Sequence, residues 1–118
     1  SDFATSLDDN DWRKTLPRFS GEALEENKRR VQKFFDLAAA KGCTSSQLAL
    51  AWVHSQGEDV FPIPGTKSSA RIVENANAVA VLKTLTAADL SAIAEAAAAL
   101  EGGRYPDYME GSTFNARV

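Results

Sequence analysis

The sequence predicts an α/β fold that is incomplete on its own. Apolar residues recur at helical spacing in several separate stretches, so most of the chain reads as helix. Against these stands a single strand candidate, "VFPI" at residues 60–63. Its lack of polar alternation suits a parallel strand covered on both faces. One strand makes no sheet. The 118 residues are enough for one small domain, yet they read as a piece of a larger α/β body.

Composition narrows the function classes. The hydrophobic fraction of 44% and charged fraction of 25% are those of a soluble globular protein. A net charge of −3 argues against a general nucleic-acid binder, which needs a basic field. No apolar run approaches the roughly 20 residues that span a bilayer, so no membrane is expected as partner. The opening "SDFATSLDDNDW" lacks the basic and apolar regions of a secretory signal. Cys43 is the only cysteine, which rules out an internal disulfide and a cysteine zinc cluster. A reducing, cytoplasmic compartment follows, and no metal is expected. The start at Ser1, in a polar irregular segment, reads as a cut from something longer.

Residues 1–21 are expected to be a loop, because Asp8, Asp9, Asn10 and Asp11 disfavour regular structure and Pro17 and Gly21 punctuate it. Phe3, Leu7, Trp12, Leu16 and Phe19 place much apolar area there, to pack over either a core or a ligand. Helices are expected within 22–57. In the first, 22–41, Val31, Phe34, Phe35 and Ala38 follow one buried stripe, and Lys41 and Gly42 close the helix. Lys28, Arg29, Arg30 and Lys33 read as its solvated face. In the second, Thr44 and Gln47 form a capping box, and Leu48, Ala51, Trp52 and Ser55 trace one face until Gly57. A helix-turn-helix reader of DNA is rejected, since this second helix carries no Arg or Lys.

The strand is expected at 60–64, short or irregular because Pro62 cannot donate to a ladder. A loop and helix follow at 65–79, and another helix at 86–101. Thr86 and Asp89 start the latter, Leu90, Ile93, Ala97 and Leu100 make its stripe, and Gly102 and Gly103 end it. Residues 102–118 read as a polar tail.

The loop "PGTKSS" and the helix start beyond it carry the chemistry. A helix amino terminus offers unpaired N–H groups and the positive end of the dipole, so it favours an anion. Gly65 lets backbone approach closely, and Thr66, Lys67 and Ser68 add donors. Arg71 can bring its two-pronged guanidinium to the same anion. Glu74 and Asn75, one turn later, can read hydroxyl and amino groups of an attached nucleoside. The competing reading is an ordinary capped helix with Lys67 and Arg71 in solvent. Neither a Walker loop nor a GxGxxG motif is present.

"IPGTKSSARIVEN" resembles the cofactor-binding stretch of the aldo-keto reductase family, at the end of the eighth barrel strand. "CTSSQLALAWVHSQG" is similar to the family's helix before that strand, "LTAADLSAIAEAA" to the helix after it, and "GGRYPDYM" to the start of its tail. The likeness runs from about Leu16 to Tyr108, and its flavour is that of plant and microbial members.

The resemblance implies the carboxy-terminal part of a (β/α)8 TIM barrel, mostly helices plus the last strand. It implies reduction of aldehydes and ketones with NADPH, bound so that Gly65, Thr66, Lys67, Ser68 and Arg71 surround the adenosine 2′-phosphate. Glu74 and Asn75 match positions contacting the adenine. Many members have Lys-Ser directly after the proline, where this chain has Gly65 and Thr66, with the lysine displaced to Lys67 as in a subgroup. The opening loop resembles the segment that closes over cofactor and substrate, which makes Trp12 and Phe19 candidate substrate contacts, with plain packing as the other reading.

The family's catalytic Asp, Tyr, Lys and His come from earlier strands, and no such motif occurs here. His54 does not match the catalytic histidine and reads as a structural hydrogen-bonder, while Tyr105, Tyr108 and Cys43 are assigned no reaction. A barrel of this kind needs about 250 residues. The chain alone is expected to be inactive, with a carbonyl compound as substrate and the missing amino-terminal part of the barrel as partner. Two other readings stay open. One is a nucleotide-binding regulatory module, as in potassium-channel beta subunits of the same family, and the other is a plain helical interaction domain.

Overall fold

This computed structural model describes residues 7–110, and among them it has six α-helices, two short 3-10 turns and no strand. The helices are α1 (Gly21–Ala40), α2 (Ser45–His54), α3 (Ser69–Ala76), α4 (Ala78–Leu82), α5 (Ala87–Ala98) and α6 (Asp107–Glu110). Phe3 and residues 111–118 of the expected tail lie outside the described residues. The chain divides into two compact units, whose described parts are residues 31–98 and residues 7–30 with 99–110. The boundary falls within α1.

The 31–98 unit is built around α2. Leu48 and Ala51 of α2 and Ala78 of α4 are closed from solvent, and α2 packs chiefly against α4. Ala38 and Ile93 join Leu48 in the core, with Phe34, Leu37, Trp52, Val81 and Leu85 partly buried around it. α2 starts where the sequence signals it. Thr44 Oγ1 accepts from Gln47 N at 3.2 Å, and Thr44 N donates to Gln47 Oε1 at 3.1 Å, a reciprocal capping box. α5 starts on the same logic, with Asp89 N donating to Thr86 Oγ1 at 3.2 Å and Thr86 N to Asp89 Oδ2 at 2.7 Å. Between α1 and α2 the chain turns through Gly42 at φ +65°, a left-handed conformation open to glycine without strain.

Three expectations need correction here. Residues 60–64 form no strand, and Phe61 and Ile63 are 74% and 94% exposed instead of buried on both faces. A strand exists by hydrogen bonding to a neighbour; there is none among the described residues, and Pro62 and Pro64 carry no N–H. Phe35 leaves the predicted stripe of α1 and is 46% exposed, while Leu37 packs against the core in its stead. The helix expected within 65–79 also divides at Asn77 into α3 and α4.

The other unit holds its turns with side chains. Asp11 caps the turn Trp12–Thr15 and pairs with Arg13 at 2.5 Å. Pro17–Phe19 forms the second turn, and Leu16 between them is buried. The buried Asn27 of α1 donates from Nδ2 to the carbonyls of Arg18 (3.1 Å) and Glu101 (2.9 Å) and accepts from Glu101 N at 2.8 Å. One amide thus ties helix, turn and tail. Gly102 sits beside this staple at φ +80°, and a Cβ there would come within 3.0 Å of Arg18 N and of the Pro17 carbonyl carbon. Arg18 Nε donates to its carbonyl at 2.8 Å. Three of the cations on α1 are paired: Lys28 with Glu25, Arg29 and Arg30 with Glu26, and Arg30 also with Glu101.

Asn27→Ala leaves two carbonyls and one N–H near this staple without partners, at a cost of about 1–3 kcal/mol. Urea unfolding is expected to show a lowered midpoint; an unchanged midpoint refutes the staple. Acid unfolding tests the other unit. The Lys41 ammonium at 2.5 Å, followed by the N–H and O–H of Thr86, holds the Asp89 carboxyl at about 2, below its ordinary 3.8. A carboxyl depressed in the folded state stabilises the fold above the unfolded value and loses that contribution as pH falls through the folded one. Stability is therefore expected to drop between about pH 4 and about pH 2. Asp89→Asn is expected to flatten that part of the profile while Asp11, also held at about 2 by Arg13, leaves a residual slope.

Candidate functional site

The loop 65–68 leads into α3 through two hydroxyls. Ser68 N donates to Thr66 Oγ1 at 3.1 Å, which shapes the loop. Ser68 is the N-cap of α3, its Oγ accepting from Arg71 N at 3.4 Å. A hydroxyl has one donor and two acceptor sites, and here the fold uses acceptor sites only. Among the described residues neither hydroxyl donates to a protein acceptor, so both O–H groups remain for a ligand. Lys67 and Arg71 are exposed, and among the described residues neither side chain is ion-paired.

A cleft of about 460 Å³ opens beside this loop. From the loop and α3 it is lined by Pro64, Gly65, Thr66, Arg71, Glu74 and Asn75. Five of the seven residues singled out from sequence thus share one cavity, while Lys67 and Ser68 lie at the helix start without lining it. Beyond its two chain neighbours, Gly65 has no described atom within 4 Å of where a Cβ would stand. Packing does not demand glycine there; its effect is to leave bare backbone facing the cleft. Among the described residues Arg71 is the one cation that lines the cleft.

The opposite wall comes from α2, through Ser46, Ala49 and Leu50, which sequence reasoning did not single out. A trace was available: 46, 49 and 50 share a helical face distinct from that of Leu48 and Ala51, and its two small residues leave space. α2 also grips α3. Thr44 Oγ1 donates to Glu74 Oε1 at 2.6 Å, and Gln47 Nε2 to the Glu74 carbonyl at 2.9 Å.

A smaller cleft of about 220 Å³ adjoins, lined by His54, Pro62, Ile72 and Val79 and sharing Leu50, Thr66 and Asn75 with the larger. His54 was expected to make structural hydrogen bonds, but its side chain makes none among the described residues and borders this cleft. Cys43 is half-buried, its Sγ 3.6 Å from the Ala38 carbonyl. Burial pushes its thiol up, against a smaller opposing pull from Lys41, which suits a packing residue rather than a nucleophile. Trp12 (59% exposed) and Phe19 (36%) belong to the other unit. Among the described residues no group of three or more His, Cys, Asp or Glu gathers to hold a metal, and no helix is long and apolar enough to cross a membrane.

The arrangement suits a phosphorylated ligand chemically. Two hydroxyl donors, the N–H groups opening α3 and two cations without an ion-pair partner among the described residues favour an anion, and the adjoining cleft has apolar and hydrogen-bonding walls for an attached ring. Residues 2–98 match the model of the aldo/keto reductase family. No solved structure matches the chain.

Proposed function

Because the chain belongs to the aldo/keto reductase family, a family of oxidoreductases with TIM-barrel folds and nicotinamide cofactors, we propose that it is the carboxy-terminal part of an NADPH-dependent member that reduces aldehydes or ketones. In this reading the loop 65–68 and Arg71 hold the adenosine 2′-phosphate of the cofactor, and Glu74 and Asn75 face its adenine. The cofactor, when bound, supplies the hydride; the residues of this chain bind and orient it. The observation that carries the reading is the 460 Å³ cleft that brings Arg71, bare backbone at Gly65, Glu74 and Asn75 together. Arg71 is the principal phosphate ligand, since it lines the cleft and its guanidinium is unpaired among the described residues. Lys67 strengthens the local positive field from outside.

The reading extends to what the chain lacks. The member is of the plant or microbial type, and its catalytic groups, most of its substrate pocket and the remaining strands belong to an amino-terminal part of the barrel. Residues 60–64 would then pair as its last strand, and Trp12 and Phe19 would face substrate. A cytoplasmic setting suits a single unpaired thiol.

Calorimetric titration of the chain tests the cofactor site. It is expected to bind 2′,5′-ADP saturably and 5′-AMP far more weakly, with Arg71→Ala losing about tenfold or more in affinity. Equal binding of the two nucleotides, or an unaffected Arg71→Ala variant, overturns the assignment. The chain alone is expected to oxidise no NADPH in the presence of an aldehyde, and measurable turnover would refute its catalytic incompleteness.

A further inference from the structure

Glu74 is held in an unusual way for a residue on a cleft wall. Its Oε1 accepts from Thr44 Oγ1 at 2.6 Å, and its backbone carbonyl accepts from Gln47 Nε2 at 2.9 Å. Thr44 and Gln47 are in turn locked to each other by the capping box of α2, at 3.1 and 3.2 Å. The four bonds close a ring in which every polar atom of the Gln47 side chain is used. Thr44 Oγ1 accepts from the first turn of α2 while donating to a carboxylate, so each bond polarises the next. The positive end of the α2 dipole adds to the hold on the anion. The distance of 2.6 Å is that of a charge-assisted O–H···O⁻ bond.

The remaining carboxylate oxygen, Oε2, accepts from no protein donor among the described residues, and Glu74 lines the 460 Å³ cleft. A carboxylate can only accept. Fixed in this position, it favours a ring bearing an amino group and disfavours one bearing a carbonyl oxygen at the same place. A glutamate free to rotate would lose most of that discrimination, because it could swing to solvent when the wrong ring bound.

We propose that Thr44 and Gln47 are positioning residues that set the base preference of the cleft by fixing Glu74 as an acceptor for the amino group of an adenine-type ring. This deepens the cofactor reading above and rests on it, adding two residues that line no part of the cleft and whose visible role is to start a helix.

The test compares binding of 2′,5′-ADP and of the nucleotide identical to it except for a 6-oxo group in place of the 6-amino group, by calorimetry on the full chain. The unaltered chain is expected to prefer the amino form. Thr44→Val keeps the shape and removes the hydroxyl, and is expected to cut the preference about tenfold; Thr44→Ser is expected to restore it. Glu74→Ala, which leaves the α2 cap intact, is expected to remove the preference while 2′-phosphate-dependent binding persists. If Thr44→Val weakens both nucleotides equally, Thr44 is only a helix cap and the proposal fails. Retention of the preference by Glu74→Ala sinks it as well. If the unaltered chain binds neither nucleotide, the cofactor reading itself falls and this inference with it.

Discussion

The contact of α2 with α4 is the constraint on which the 31–98 unit depends. Leu48 is the one large side chain among the described residues that is fully buried, and Ala51 and Ala78 are closed around the same contact. Small residues let the two helices approach, and the approach places α3, which precedes α4 directly, beside the amino terminus of α2. From that placement follow the bonds of Thr44 and Gln47 to Glu74 and the two walls of the larger cleft. The cleft is thus a by-product of how one helix is packed.

The unit also exposes what a completed core would cover. Phe61, Ile63, Ile72 and Val73 are each more than half exposed, and they cluster along the irregular segment and α3. Burying apolar area gains roughly 25 cal/mol per Å², so an uncovered group of this size is a standing drive towards association. The proposed completion by further barrel strands would satisfy both this drive and the unpaired backbone of residues 60–64. The ion pairs on the helix surfaces contribute little by comparison, since exposed pairs are screened.

Binding and stability are separable in the proposed site. The fold uses the acceptor sites of Thr66 and Ser68 to shape the loop and cap α3, and leaves their protons available. It uses Oε1 of Glu74 to join two helices and leaves Oε2 available. Lys67 and Arg71 take no part in any ion pair among the described residues. Polar groups half committed to structure are held in place without being consumed, which lowers the ordering cost when a ligand arrives.

Much of this was written in the sequence. Local signals act through neighbours within about one helical turn, so the capping pairs Thr44 with Gln47 and Thr86 with Asp89, the left-handed turn at Gly42 and the periodic stripe through Leu48 and Ala51 were legible residue by residue. The start of α3 after the loop 65–68 was legible for the same reason. Only the tertiary structure decided the rest, because the deciding partners are distant in the chain. Glu74 meets Thr44 across 30 positions, Asn27 meets Glu101 across 74, and Ser46, Ala49 and Leu50 become a cleft wall only when α2 and α3 lie together. Residues 60–63 have every residue type a buried strand prefers except a proline-free ladder, and still form none, since a strand is made by a neighbour that these residues cannot supply themselves.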